Sequence, residues 1–156
     1  MRIVSVELLG VPEIAQSADY ARHVANADDG ALLDRIRRQS VLYDSTARVE
    51  ILIGESALHS RACPRTVIRG QNARLAALTE LRHVRLGILP RNLNLPTITL
   101  HAYTIIDDKV LATIDQSTIT VTDAAGVAVY ERLTKTLWAS AIQGDRARAL
   151  LRKAAR

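Results

Sequence analysis

The sequence predicts an α+β domain: a mostly antiparallel sheet of about four to five strands, packed with N-terminal and C-terminal helices. Two patterns carry this expectation. Helical periodicity marks both ends of the chain, and β-branched runs crowd its second half. The connections between the later runs are short enough for hairpins, so neighbouring strands there are expected to be antiparallel.

Residues 13–25 have helical spacing, with Ile14, Ala18, Ala21 and Val24 on one face. Asp28-Asp29-Gly30 interrupts the pattern, and either aspartate suits the N-cap of a second helix over 31–43. Leu32, Leu33 and Ile36 lie on that helix, which Arg35, Arg37 and Arg38 also crowd. The run 49–53 is rich in β-branched residues, its apolar character broken only by Glu50, and reads as a buried strand. Pro64 fits the first turn of a third helix reaching about residue 81, with Ile68, Gln71, Leu75 and Leu78 as its inward stripe. Gly70 lies inside it, at a cost of about 1 kcal/mol relative to Ala.

The second half is strand-rich. Residues 84–89 form a short apolar strand stopped by Pro90, and 91–96 form a turn or loop. The segments 97–106, 110–115 and 118–122 are dense in Thr, Ile and Val, which fit a pleated, half-buried surface. Asp107-Asp108-Lys109 and Gln116-Ser117 are short enough to be their hairpin connections. Asp123 is placed to cap a long helix to about residue 142, with Val127, Tyr130, Leu133 or Thr134, Leu137, Trp138 and Ala141 facing inward. Gln143-Gly144-Asp145 breaks it, and a short basic helix over 146–153 follows.

With 156 residues the chain is expected to form one domain, 1–156, with one sizeable core. Apolar residues make up 48%, which excludes a disordered chain. No run approaches the roughly 20 apolar residues of a membrane helix. Glu7 falls where a secretory signal would be apolar, so the expected location is the cytoplasm. A single cysteine, Cys63, excludes an internal disulfide and a multi-cysteine metal site.

The net charge is +5, from 21 basic and 16 acidic residues. A basic domain attracts phosphate, but the five aromatic residues (four Tyr, one Trp) supply a poor base-stacking platform. The expectation is therefore weak, salt-sensitive and sequence-independent DNA binding.

No catalytic motif is complete. His23, His59, His83 and His101 are scattered without the helical spacing of a zinc-binding pair, and no glycine-rich phosphate loop occurs. Neither metal nor cofactor is expected. Gly54-Glu55-Ser56-Ala57 lacks the second glycine of a nucleophile elbow. Glu55 and His59, four apart after a strand, either face one pocket as an acid–base pair or are a turn cap and a half-exposed histidine. Cys63 before Pro64 is either a thiol activated near a helix N-terminus or a small buried side chain. His101 and Tyr103 alternate on a strand and share a face, lining a cavity or marking the solvated side of the sheet. Trp138 is expected on the helix that packs against that sheet, which makes Glu55, His59, His101, Tyr103 and Trp138 one candidate pocket. Beside Asp34, the arginines Arg35, Arg37 and Arg38 form either a solvated face or a site for an acidic partner, Arg35 and Arg38 being the candidates.

Several segments resemble one family in order. Gly10-Val11-Pro12-Glu13-Ile14-Ala15-Gln16-Ser17-Ala18-Asp19-Tyr20-Ala21-Arg22, then Asp34-Arg35-Ile36-Arg37-Arg38-Gln39-Ser40-Val41-Leu42, are followed by the strand ending in Gly54-Glu55-Ser56-Ala57-Leu58. Gln71 with Leu75 and Leu78, the strand from Val84 to Pro90, and the helix from Tyr130 to Ala141 complete the series. Together these are similar to the C-terminal domain of unknown function in actinobacterial WhiJ-like, Xre-type transcriptional regulators. The resemblance covers roughly Leu9 to Leu151. Pro12-Glu13 replaces the family's Pro-Gly pair, and the loop after the Leu-Pro strand is shorter here. It implies a regulatory domain that receives a small molecule or small partner protein, with Tyr20 and Arg22 of the first motif as ligand contacts or packing residues. In that family the domain follows a helix-turn-helix, so the chain is expected to carry the sensor part without the DNA-reading part. The alternative is a domain recruited as a small enzyme or accessory protein in a biosynthetic pathway. Exposed strand edges and an apolar C-terminal helix suit a homodimer.

Overall fold

The computed structural model describes residues 1–25, 28–95, 101–115 and 117–156. It is an α+β structure, a sheet packed with helices, as the sequence predicts. Among the described residues six strands form one mixed sheet: β1 (Arg2–Glu7), β2 (Arg48–Gly54), β3 (Val84–Leu89), β4 (Tyr103–Ile106), β5 (Lys109–Ile114) and β6 (Ser117–Val121). Their order across the sheet is β3-β2-β1-β4-β5-β6. β1, β2 and β3 are mutually parallel, while β4, β5 and β6 add on antiparallel, with Val6 opposite Tyr103 and Ile105 opposite Val110. The expected four to five strands become six because β1 sits at the centre. Ile3, Val4, Ser5 and Val6 are all buried, so β1 lacks the apolar–polar alternation that announces a strand. Of the expected strand over 97–106, residues 97–100 lie outside the described residues, His101 and Ala102 are not in a strand, and β4 forms from Tyr103. The β4–β5 hairpin turns through Asp107 at φ 49°, a left-handed position that aspartate tolerates, and Asp107 Oδ1 accepts the Arg2 N–H at 2.8 Å.

Among the described residues five α-helices cover the sheet: α1 (Ala18–Ala25), α2 (Asp29–Arg38), α3 (Arg65–Leu78), α4 (Ala124–Ser140) and α5 (Gly144–Ala154). The expected helix over 13–25 is divided. A 3₁₀ turn at Glu13–Ala15 comes first, Gln16 is extended, and the Ser17 hydroxyl accepts the Tyr20 N–H at 3.1 Å to start α1. That break shifts the inward face: Tyr20 and Ala21 are buried, whereas Ala18 and Val24 are exposed. The second helix likewise ends at Arg38 and continues as a 3₁₀ turn, Gln39–Tyr43. The expected caps hold. Asp28 accepts from Ala31 N and Asp123 from Gly126 N, both at 2.8 Å. On α3 the whole expected stripe, Ile68, Gln71, Leu75 and Leu78, is buried, and Gly70 faces open space.

The helices make two unequal layers. On one face, α1, α3 and α5 enclose Val49, Ile51, Ile53, Val84, Leu86 and Ile88. On the other, α4 brings Leu137 and Trp138 onto Val4, Val6, Leu52, Tyr103, Ile105, Val110 and Ala112. Two glycines make close approaches possible. A Cβ on Gly54 would lie 1.9 Å from the Leu8 carbonyl oxygen, and one on Gly87 would lie 2.5 Å from the Trp138 ring.

The motif glutamines tie the first layer together. Gln16 Nε2 donates to Val11 O, Gln39 Nε2 to Glu13 O and Gln16 O, and Gln71 Nε2 to Ala15 O, all at 2.7–2.9 Å. Gln71 Oε1 also accepts the Ser17 N–H at 2.7 Å. Three side chains far apart in sequence thus satisfy the irregular backbone around residues 11–17, which buried without partners would cost about 1–3 kcal/mol per group.

Candidate functional site

β2 ends at Gly54 and runs into a 3₁₀ turn, Glu55–His59, followed by residues 60–64 and the start of α3. From the middle of α3, buried Asn72 donates to Leu58 O at 2.9 Å and to Ala154 O at 3.1 Å. One amide therefore fastens the turn and the C-terminus of α5 beside the N-terminus of α3. A cavity of about 460 Å³ opens among these three segments. Its apolar wall is Leu58, Cys63 and Ile68, all buried. Arg61, Arg65, Lys153 and Arg156 stand exposed around it, with Arg69 half-buried. Arg69 Nε is enclosed and, among the described residues, has no hydrogen-bond partner. His59 lines the same cavity. Burial pushes the Cys63 thiol above its ordinary value of 9.0, which keeps it protonated at neutral pH and argues against the nucleophile alternative.

The other sequence candidates fall into separate groups. Glu55 Oε2 accepts the Arg91 N–H at 3.2 Å, and Glu55 does not line the cavity that His59 faces. His101 and Tyr103 do share a face, against α4. His101 Nε2 lies 2.8 Å from the Tyr130 hydroxyl, and the Tyr103 hydroxyl lies 2.8 Å from Thr134 Oγ1. Tyr103 is 2% exposed, and burial pushes its hydroxyl up to about 12. Trp138 is on the same face, with the Arg85 guanidinium 3.7 Å from its ring centroid. The strand registers place Glu55 and His101 at the same end of the sheet, on either side of β1.

Tyr20 is buried in the opposite layer, where its hydroxyl accepts the Val11 N–H at 3.2 Å. Burial pushes that hydroxyl up, and neighbouring Glu7 adds to the shift. Burial likewise raises the Glu7 carboxyl, with a further contribution from Glu13. Arg22 is exposed and pairs with Asp19 at 3.6 Å. Arg35 reaches Gln16 Oε1 at 2.7 Å and Glu13 at 2.9 Å, and Arg38 reaches Glu13 at 3.5 Å. These two arginines hold the glutamine-rich layer to α2.

Arg61, Arg65, Arg69, Lys153 and Arg156 were not singled out by the sequence. The one signal was local: Arg65 and Arg69 are four apart at the start of a helix whose first turn holds no acid.

A family model described as Domain of unknown function (DUF5753) matches residues 1–153, and the chain belongs to that family. No curated protein matches the chain. No described helix is long and apolar enough to cross a membrane.

Proposed function

We propose that this member of a family of unknown function is the receiving domain of a WhiJ-like regulatory system in the cytoplasm. It binds a small molecule and passes occupancy to a partner. The observation that carries this reading is the cavity between the α3 N-terminus and the α5 C-terminus. It lies within the roughly 300–1,000 Å³ of small-molecule sites and combines an apolar wall with polar groups at its rim. Its walls come from three separate segments, so a ligand there bridges them and changes how α5 is held. The ordered motifs from Gly10 to Ala141 support the family assignment on the regulatory side.

Native mass spectrometry of the purified protein tests this reading. The expected result is a bound small molecule and a dimer, released and reloaded together with a shift in melting temperature. A protein that carries nothing, and that no member of a broad metabolite panel stabilises, counts against it. The dimer expectation draws on the two sheet edges. The β3 edge is bridged by Ile142, whereas β6 has no partner on its far side among the described residues and exposes Ile119. Sedimentation equilibrium giving a monomer at roughly tens of micromolar would remove the dimer. DNA binding is expected to stay weak, salt-sensitive and independent of sequence.

A further inference from the structure

We propose that the cavity takes a phosphorylated small molecule, with Arg65 and Arg69 holding the phosphate and Arg61, Lys153 and Arg156 completing its charge. This rests on the receiving-domain reading and names the ligand class.

The first support is a contrast in pairing. On α1, α2 and α5 Arg22, Arg35, Arg37, Arg38, Arg148 and Arg152 each sit against a carboxylate, while Arg132, Lys135 and Arg146 stand singly without one among the described residues; only at the cavity do several such cations gather. Among the described residues, no carboxylate pairs with any of the five cations at the cavity. Like charges gathered without a counter-charge repel one another, and a bound anion relieves that repulsion.

The second support is the polarity of α3. Its N-terminus carries the positive end of the helix dipole, which favours acids, yet its first turn holds Arg65 and no acid. Pro64 supplies no side-chain cap. The Val67 and Ile68 N–H groups turn back to Pro64 O, so the Arg65 and Thr66 N–H groups have no helical acceptor. Lys153 and Arg156 have a partial structural explanation, since they stand at the carbonyl end of α5. Arg61, Arg65 and Arg69 have none.

Arg69 adds a second arginine to the cavity wall, one helical turn after Arg65. Guanidinium groups match phosphate oxygens in a fork, and several converging cations suit a dianion better than a single carboxylate. Leu58, Cys63 and Ile68 then give an apolar or ring portion of the same molecule a surface to rest on.

Calorimetric titration of the full chain with inorganic pyrophosphate and adenosine 5′-monophosphate, with adenosine as the uncharged control, tests the assignment. Binding of a phosphate compound is expected, weakened about tenfold or more by Arg65→Gln and Arg69→Gln and unchanged by Arg146→Gln, which lies outside the cavity. Arg61→Glu at the exposed rim gives the same loss without a risk to folding. Equal binding across all variants, showing only diffuse charge attraction, overturns the proposal. If phosphate compounds do not bind while native mass spectrometry retains a neutral ligand, the phosphate class falls and the receiving role stands. If neither kind of ligand binds, both fall.

Discussion

β1, β2 and β3 are covered on both faces, whereas β4, β5 and β6 have α4 on one face only. The consequence is plain along the strands. In β2 every residue from Val49 to Gly54 is buried, while in β6 Ser117 to Thr120 are exposed. On the face away from α4, the antiparallel half presents Thr104, Leu111, Thr113, Thr118 and Thr120. The parallel half also adjoins the glutamine-bonded turns and the cationic cavity. Parallel strands need long crossovers, and here those crossovers carry α1, α2 and α3. The half joined by hairpins receives no such helices. Packing density, and with it sensitivity to substitution, should therefore be concentrated in the parallel half.

The sharpest way to break this comparison is Gly54→Ala. The added methyl would meet the Leu8 carbonyl oxygen at 1.9 Å, where backbone rather than a pliable side chain must move. A loss of about 3 kcal/mol or more is expected in denaturant unfolding. A wild-type midpoint would mean that β1 and β2 are held far less rigidly than the structure shows.

Gln71→Ala comes next. It frees buried Ala15 O and the Ser17 N–H, and should cost about 2 kcal/mol by the same measurement. A cost below about 0.5 kcal/mol would remove the glutamine bonds as the reason α1 starts where it does.

Glu7 sharpens the comparison through pH. Its carboxyl is held above the ordinary value of 4.5 mainly by burial. The folded state thus binds the proton more tightly than the unfolded chain. The stability this supplies is present below pH 4.5 and is lost as pH rises through the folded value. Glu7→Gln is expected to stabilise the protein at pH 7 and to flatten the dependence of its melting temperature on pH above 4.5. An unchanged slope would show that Glu7 is solvated in the folded state.

The smallest effect belongs to the open half. Thr118→Ala, in an exposed position of β6, should change stability by less than about 0.5 kcal/mol. A loss near that of Gln71→Ala would mean the face is covered in solution, which a concentration-dependent melting temperature would confirm.

The sequence by itself determined features that depend on near neighbours. The caps at Asp28 and Asp123 and the β4–β5 hairpin are satisfied by contacts a few residues away, and the inward stripe of α3 is a spacing within one helix. Apolar spacing and turn chemistry act at that range, so they are legible without a fold. The motif containing Gln16, Gln39 and Gln71 was visible as a pattern, but its work was not, because Gln39 and Gln71 bond to backbone brought in from elsewhere. Tertiary structure alone decided three things. It placed β1 at the centre, where burial on both faces erases alternation. It separated Glu55, His59 and the pair His101–Tyr103, which share chemistry but not a cavity. It also decided which arginines meet a carboxylate. Arg35 and Arg38 looked like a binding face and are paired with Glu13, while Arg65 and Arg69 looked ordinary and pair with no acid among the described residues. Charge is written in the sequence, but its pairing depends on a few ångströms of separation, and only the folded chain sets those.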